Sequence, residues 1–374
     1  MAPTCETAAL DQGVWLTVRG TARRRPRKAN IVLMGLAAIV VLFSICSVIV
    51  VKATYDKQFQ RADKPKFSGY LTYGDVDGYD RRVVRFRSGN HALTGYVYGE
   101  RNDKGLVVIA HGLGGGAENY LAETMYFVDN GWRVFSFDCT GSHESEGKGT
   151  IGLPQSALDL NSALGYIESD STLRDLPIML YGHSWGGYAV AAVLNYGHDI
   201  AAAASIAGFN APMEILFERA EKMMGSIAYL EYPFLWAYQT MLFGRAARLT
   251  AVDGINSADT AIMIIHGDKD TTVSYDRTGI IAHQGEITNP NVVYKTCTAE
   301  NHNGHRSLFR SEAAVEHSNR RNRVYQGLYD LYNGSIPDDV LADYYANTDK
   351  TLVSELDASF MDEINRFFER RLPE

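Results

Sequence analysis

Ser184 lies in the run Gly182-His183-Ser184-Trp185-Gly186, with a further glycine at position 187. The pattern G-x-S-x-G suits a nucleophilic serine held on a sharp strand-to-helix turn. Side chains at 182 and 186 would collide there, and glycines remove them. The helix that follows points its positive end at any oxyanion formed beside the serine. The context fits, because an apolar run ends at Tyr181 and an alanine-rich stretch begins at Trp185. A serine hydroxyl needs a base, and the base needs an orienting acid. Downstream, His266-Gly267-Asp268-Lys269-Asp270 follows an apolar run and offers two acids. Asp270 is preferred because it sits further past the strand end, with Asp268 as the alternative. Asn301-His302-Asn303-Gly304-His305 then offers two bases. His305, freed by the preceding glycine, is preferred over His302. His143, His183, His266 and His283 are read as structural.

Acyl transfer also needs amide donors for the oxyanion. The amide of Trp185 is one expected donor. The other is expected in the glycine-rich turn His111-Gly112-Leu113-Gly114-Gly115-Gly116, from Leu113 or, alternatively, Gly112. The same turn supports a reading of another class. Gly112-x-Gly114-x-x-Ala117 fits a dinucleotide fingerprint, with Asp138 ending the next strand, as in an NAD-dependent oxidoreductase. That reading leaves Ser184, Asp270 and His305 unexplained. A non-catalytic binding protein is a further alternative, against which the complete Ser–Asp–His set argues. The four cysteines, Cys5, Cys46, Cys139 and Cys297, are far apart and form no C-x-x-C pair, so no zinc site or redox dithiol is indicated; Cys139 and Cys297 are read as packing residues. No metal or organic cofactor is implied. A net charge of -8 argues against a nucleic-acid partner.

The elements that must position these residues are legible as short apolar runs alternating with amphipathic stretches. Residues 82–87 alternate like an edge strand, with 93–98 as its hairpin partner. Runs at 106–110, 132–137, 177–181, 201–207, 261–265 and 292–296 read as strands covered on both faces, with helices notably at 155–168 and 185–196. This alternation predicts a mostly parallel α/β sheet. Residues 209–258, rich in Met, Phe, Tyr and Leu, are too long for a simple crossover. They are expected to form a helical cap that walls a substrate pocket. A second insertion, 319–351, has no readable role.

Residues 31–51 run 21 positions without a charge. As a helix they span roughly 30 Å, the thickness of a bilayer core, so an uncleaved transmembrane anchor in the lipid bilayer is expected. A cleaved signal peptide has a shorter apolar region and a small-residue cleavage site, neither of which is present. Arg23, Arg24, Arg25, Arg27 and Lys28 precede the span and favour a cytoplasmic tail at 1–30, leaving residues after 52 outside the cytoplasm. Residues 52–70, polar and mixed in charge, suit a stalk, with the catalytic domain over 71–374.

With these residues assembled, the sequence resembles the α/β-hydrolase superfamily. It looks most like the bacterial branch of serine aminopeptidases, monoacylglycerol-lipase-like esterases and dipeptidyl-peptidase catalytic domains. The likeness rests on His111-Gly112, on Asp138-x-x-Gly141-x-x-x-Ser145-x-Gly147, on the turn at Ser184, on His266-Gly267-x-x-Asp270 and on Gly304-His305. The Asp138–Gly147 stretch is one residue longer than the family pattern. The resemblance implies an α/β-hydrolase fold with Ser184, Asp270 and His305 as its triad, acting on an ester, thioester or amide. An esterase or lipase-like activity is the first expectation, from the apolar cap and the membrane address, and a peptidase is the alternative.

Overall fold

The computed structural model describes residues 27–372, so most of the expected tail at 1–30, including Arg23–Arg25 and Cys5, lies outside the described residues. The described residues 27–47 and 48–372 fall into two compact units. The first carries most of helix α1 (Arg27–Gln58). Its apolar side chains, Ile31, Leu33 and Met34 among them, are exposed. Residues 30–58 are long and apolar enough to cross a membrane.

The second unit is built on an eight-stranded sheet among the described residues, in the order β1-β2-β4-β3-β5-β6-β7-β8. These strands are β1 (Arg81–Ser88), β2 (His91–Tyr98), β3 (Leu106–Ala110), β4 (Arg133–Phe137), β5 (Ile178–His183), β6 (Ala202–Ile206), β7 (Ala261–Gly267) and β8 (Val292–Cys297). β1 and β2 form the expected hairpin, and β2 meets β4 antiparallel. The other pairings are parallel. The continuous apolar runs make sense in this setting. In β3, Leu106, Val108 and Ala110 face one core while Val107 and Ile109 face the other. A strand covered on both sides has no polar face to alternate with. The first core packs under α3 (Gln155–Ser169), α4 (Trp185–Ala192) and α7 (Ala251–Ser257). The second packs under α2 (Leu121–Asp129) and α11 (Ala358–Glu369), whose Phe360, Ile364, Phe367 and Phe368 recur at helical spacing. Each such side chain removed from water stabilises the fold by about 1.5–3 kcal/mol.

The interval 209–258 folds as α5 (Pro212–Met224), α6 (Ala228–Phe243) and α7, with short 3-10 turns between them. After β8 come α8 (Glu312–Leu331), α9 (Asp338–Ala346) and α10 (Lys350–Ser354), which contain the second insertion. Residues 52–70 depart from the expected stalk. α1 continues to Gln58, and Tyr55 and Phe59 are buried in the first core. Beyond it, Arg61 donates to the carbonyls of Ser145 (2.8 Å), Gly147 (3.0 Å) and His143, and Ala62 pairs with Ser142. The polar residues that suggest a solvated stalk are here hydrogen-bonding to the domain. Arg61 thereby clasps the Asp138–Gly147 loop, the stretch that is one residue longer than the family pattern.

Candidate active site

β5 ends at His183 and α4 begins at Trp185, leaving Ser184 alone at the turn with φ 58° and ψ -113°. A non-glycine residue adopts that conformation only where its surroundings enforce it. The Ser184 amide donates to the Ile206 carbonyl at 2.8 Å, and its carbonyl accepts from the Tyr188 amide at 3.0 Å. The flanking glycines are sterically required. A Cβ on Gly182 would strike the Gly186 carbonyl, and one on Gly186 would strike the carbonyl of Ala110 at the end of β3. This close seam brings the glycine-rich turn after β3 beside the serine. A Cβ on Gly112 would stand 3.7 Å from that of Ser184.

His305 Nε2 lies 2.8 Å from Ser184 Oγ, and His305 Nδ1 lies 2.6 Å from Asp270 Oδ2. Asp270 closes the turn after β7, its Oδ1 accepting from the amides of Thr272 (2.8 Å) and Val273 (3.0 Å). Its side chain is fully buried. Burial alone would raise its pKa, but hydrogen bonds from His266 and His305 outweigh that and hold the carboxyl well below the ordinary carboxylate range. An ionised Asp270 can only accept, so His305 Nδ1 carries the proton and Nε2 is left to accept from the serine hydroxyl. The two alternatives stand elsewhere. Asp268 accepts from Asn303 Nδ2 at 2.8 Å and so braces the loop that carries His305. His302 Nδ1 donates within that loop, to the Ser307 carbonyl at 3.2 Å.

Two histidines read as structural from sequence touch this group. His266 is wholly buried, with Nε2 3.0 Å from the Val273 carbonyl and 3.2 Å from Asp270 Oδ2. Both partners accept, so that nitrogen bears the proton. His183 Nε2 donates to the His305 carbonyl at 2.8 Å, and its Nδ1 accepts from the Tyr120 hydroxyl at 2.8 Å. The Tyr120 hydroxyl in turn accepts from the Gly112 amide at 3.1 Å. Burial, with the neighbouring His305, pushes the His183 pKa down to about 3, so it stays neutral and keeps this order of donors. The chain of bonds ties the turn before Leu113 to the loop that carries His305. On the other side of that turn, His111 Nδ1 donates to the Gly112 carbonyl at 2.8 Å and Nε2 accepts from the Cys139 amide at 2.9 Å. The one sequence signal for this framework was the histidine inside the Ser184 motif itself.

Gly112, Leu113, Gly114 and Ser184 line a cavity of about 510 Å³ together with Tyr70, Asn119, Arg306 and Arg310. Trp185, the other expected oxyanion residue, opens α4. Its ring is buried and donates to the Leu153 carbonyl at 2.7 Å. The far wall differs from the sequence expectation. It comes from Val315, Ser318, Asn319 and Asn322 of α8 and from Val353 and Ser354 of α10, and none of the lining comes from 209–258. That interval instead forms a cleft of about 90 Å³ between α5, α6 and the end of α1, lined by Leu216, Met223, Leu235, Val51 and Tyr55. The apolar character of α5 and α6 is used against α1 and left exposed at Met223, Leu230 and Met241, not turned toward Ser184.

Asp138, which the dinucleotide reading needs for a ribose, is buried and already engaged. It accepts from the Ala117 amide (2.8 Å), the Tyr96 hydroxyl (3.1 Å) and the Glu144 amide (3.2 Å). Cys139 is buried, Cys297 half-buried and both are free, in keeping with packing roles.

A family model described as serine aminopeptidase, S33, matches residues 101–248. Among solved structures, an esterase of Pyrococcus furiosus aligns over 73% of this chain and 98% of its own at 20% identity, with a TM-score of 0.52. An acylaminoacyl peptidase of Pyrococcus horikoshii aligns over 69% of this chain and 42% of its own at 14% identity, with a TM-score of 0.47. No curated protein matches the sequence at a comparable level of significance. At 20% identity the likeness to the esterase is one of fold.

Proposed function

We propose, from the premise that the chain is a serine hydrolase of the α/β-hydrolase superfamily, that it cleaves an ester by two-step acyl transfer at Ser184. The reading rests on one observation, the hydrogen-bonded series from Ser184 Oγ through His305 to Asp270 at 2.8 and 2.6 Å. Ser184 Oγ attacks the carbonyl carbon as its proton passes to His305 Nε2, and Asp270 stabilises the imidazolium. The amides of Leu113 and Trp185 receive the oxyanion. The tetrahedral intermediate then collapses, breaking the bond to the leaving alcohol, which takes the proton from His305. Water, deprotonated by His305, attacks the acyl-enzyme and releases the acid and Ser184.

A peptide substrate is the second reading, favoured by the description of the matching family model. An aminopeptidase must hold a free ammonium group, however, and among the described residues no Asp or Glu lines the cavity at Ser184. That favours an ester. We further propose that residues 31–51 anchor the enzyme in a bilayer with the domain outside the cytoplasm. Labelling of the full chain with a fluorophosphonate tests the nucleophile. Wild type is expected to label and Ser184→Ala to remain blank, with ester turnover falling on the order of 10³-fold or more. Equal labelling of the two proteins would remove Ser184 from the mechanism.

A further inference from the structure

The wall of the cavity carries a charge that the protein does not balance. Arg306 follows His305 directly, is exposed and lines the cavity with Ser184. Among the described residues no carboxylate lies within ion-pair distance of its guanidinium. Arg310, one turn of chain further on, is different. It faces the buried Glu123 at 3.2 Å and donates to the Ser354 carbonyl at 2.8 Å, so its charge and donors are committed inside the fold. The rest of the described lining mixes apolar side chains, Leu113, Phe309, Val315 and Val353, with the uncharged polar Asn119 beside the glycine turn and Ser318, Asn319 and Asn322 of α8, and holds no acid. In a chain of net charge -8, a site whose lining holds two arginines and no acid is a local reversal of sign.

We propose that this cavity selects esters whose substrate bears a carboxylate, held by Arg306 beside the scissile carbonyl. The proposal rests on Ser184 being the nucleophile. A guanidinium offers a planar fork that fits a carboxylate bidentately. A single uncommitted arginine matches a monoanion better than a phosphate dianion, which would call for a second free cation. Arg306 acts in binding, adjacent in sequence to the base, and carries no proton in the reaction.

The test compares two 4-nitrophenyl esters of equal chain length, the valerate and the hemiglutarate, on the full chain in detergent. The quantity read is the ratio of kcat/KM for the anionic over the neutral ester, taken for Arg306→Gln relative to wild type, which cancels the intrinsic reactivity of each ester. This relative ratio is expected to fall about tenfold, through KM for the anionic ester, which is the scale of one charge-assisted hydrogen bond. Arg306→Glu is expected to turn preference toward a 4-nitrophenyl ester carrying a trimethylammonium group. Fluorophosphonate labelling of the same preparations reads the nucleophile separately. Normal labelling of wild type and Arg306→Gln with an unchanged ratio would overturn the carboxylate proposal and leave Ser184 in place. Labelling that persists in Ser184→Ala would overturn the reading beneath it.

Discussion

His183 contributes to the acid sensitivity of the fold without touching the reacting atoms. Its pKa is pushed to about 3 by burial and by His305, against about 6.5 in an unfolded chain. A group whose folded pKa is lowered contributes stability that is complete above its unfolded value. That stability is lost as pH falls from about 6.5 toward 3, because the unfolded chain takes up the proton first. The loss reaches at most about 1.4 kcal/mol per pH unit for one such group. Thermal melts at pH 6.5 and pH 4 are expected to show this slope in wild type. A shallower slope is expected in His183→Gln, the remainder coming from groups such as His111, whose pKa burial lowers in the same direction. Parallel slopes in the two proteins would assign the acid sensitivity elsewhere. Asp270, held below the usual carboxylate range, adds a loss of its own at the acid end of this window, because the unfolded chain protonates that carboxyl while the folded one stays ionised.

Among the elements, those closest to the sheet were legible and those that wall the cavity were not. β3 and β5 declare themselves because a strand buried on both faces must be apolar at every position, and Gly182 and Gly186 declare the turn because backbone crosses there. Counting past the strand end favours Asp270 over Asp268, and the structure has Asp270 beside His305. α8 gave no such signal, since its Ser318, Asn319 and Asn322 look like any solvated helix face until the fold brings them over Ser184. Apolar composition in 209–258 suggests a pocket wall, yet none of the lining of the Ser184 cavity comes from it. Hydrophobic side chains report that a surface is covered, not what covers it, and here part of the cover is the end of α1. Arg61 was likewise opaque, because a charged residue in a polar segment reads as solvated. Arg61→Ala removes donors to three carbonyls of the Asp138–Gly147 loop and is expected to cost about 1–3 kcal/mol in chemical denaturation, with no change in fluorophosphonate labelling of the folded protein. A midpoint equal to wild type would show the clasp to be dispensable.

For the molecule as a whole, the anchor reading makes its own claims. The full chain is expected to remain in the pellet after alkaline carbonate extraction of membranes, and a chain lacking residues 31–51 to leave it. A C-terminal alkaline phosphatase fusion is expected to be active only if the domain lies outside the cytoplasm, so an inactive fusion on a folded, membrane-held chain would reverse the orientation. The bonds that run from the Gly112 amide through Tyr120 and His183 to the His305 carbonyl carry a kinetic meaning of another sort. They join loops from β3, β5 and β8, so the oxyanion side and the base side of the cavity are hung from one buried framework and cannot separate without breaking it. Such a site is already assembled before the ligand arrives. Boronate inhibitors, which mimic the tetrahedral adduct, should therefore inhibit without a lag, with an onset rate rising linearly in inhibitor concentration and no plateau from a slow closing step.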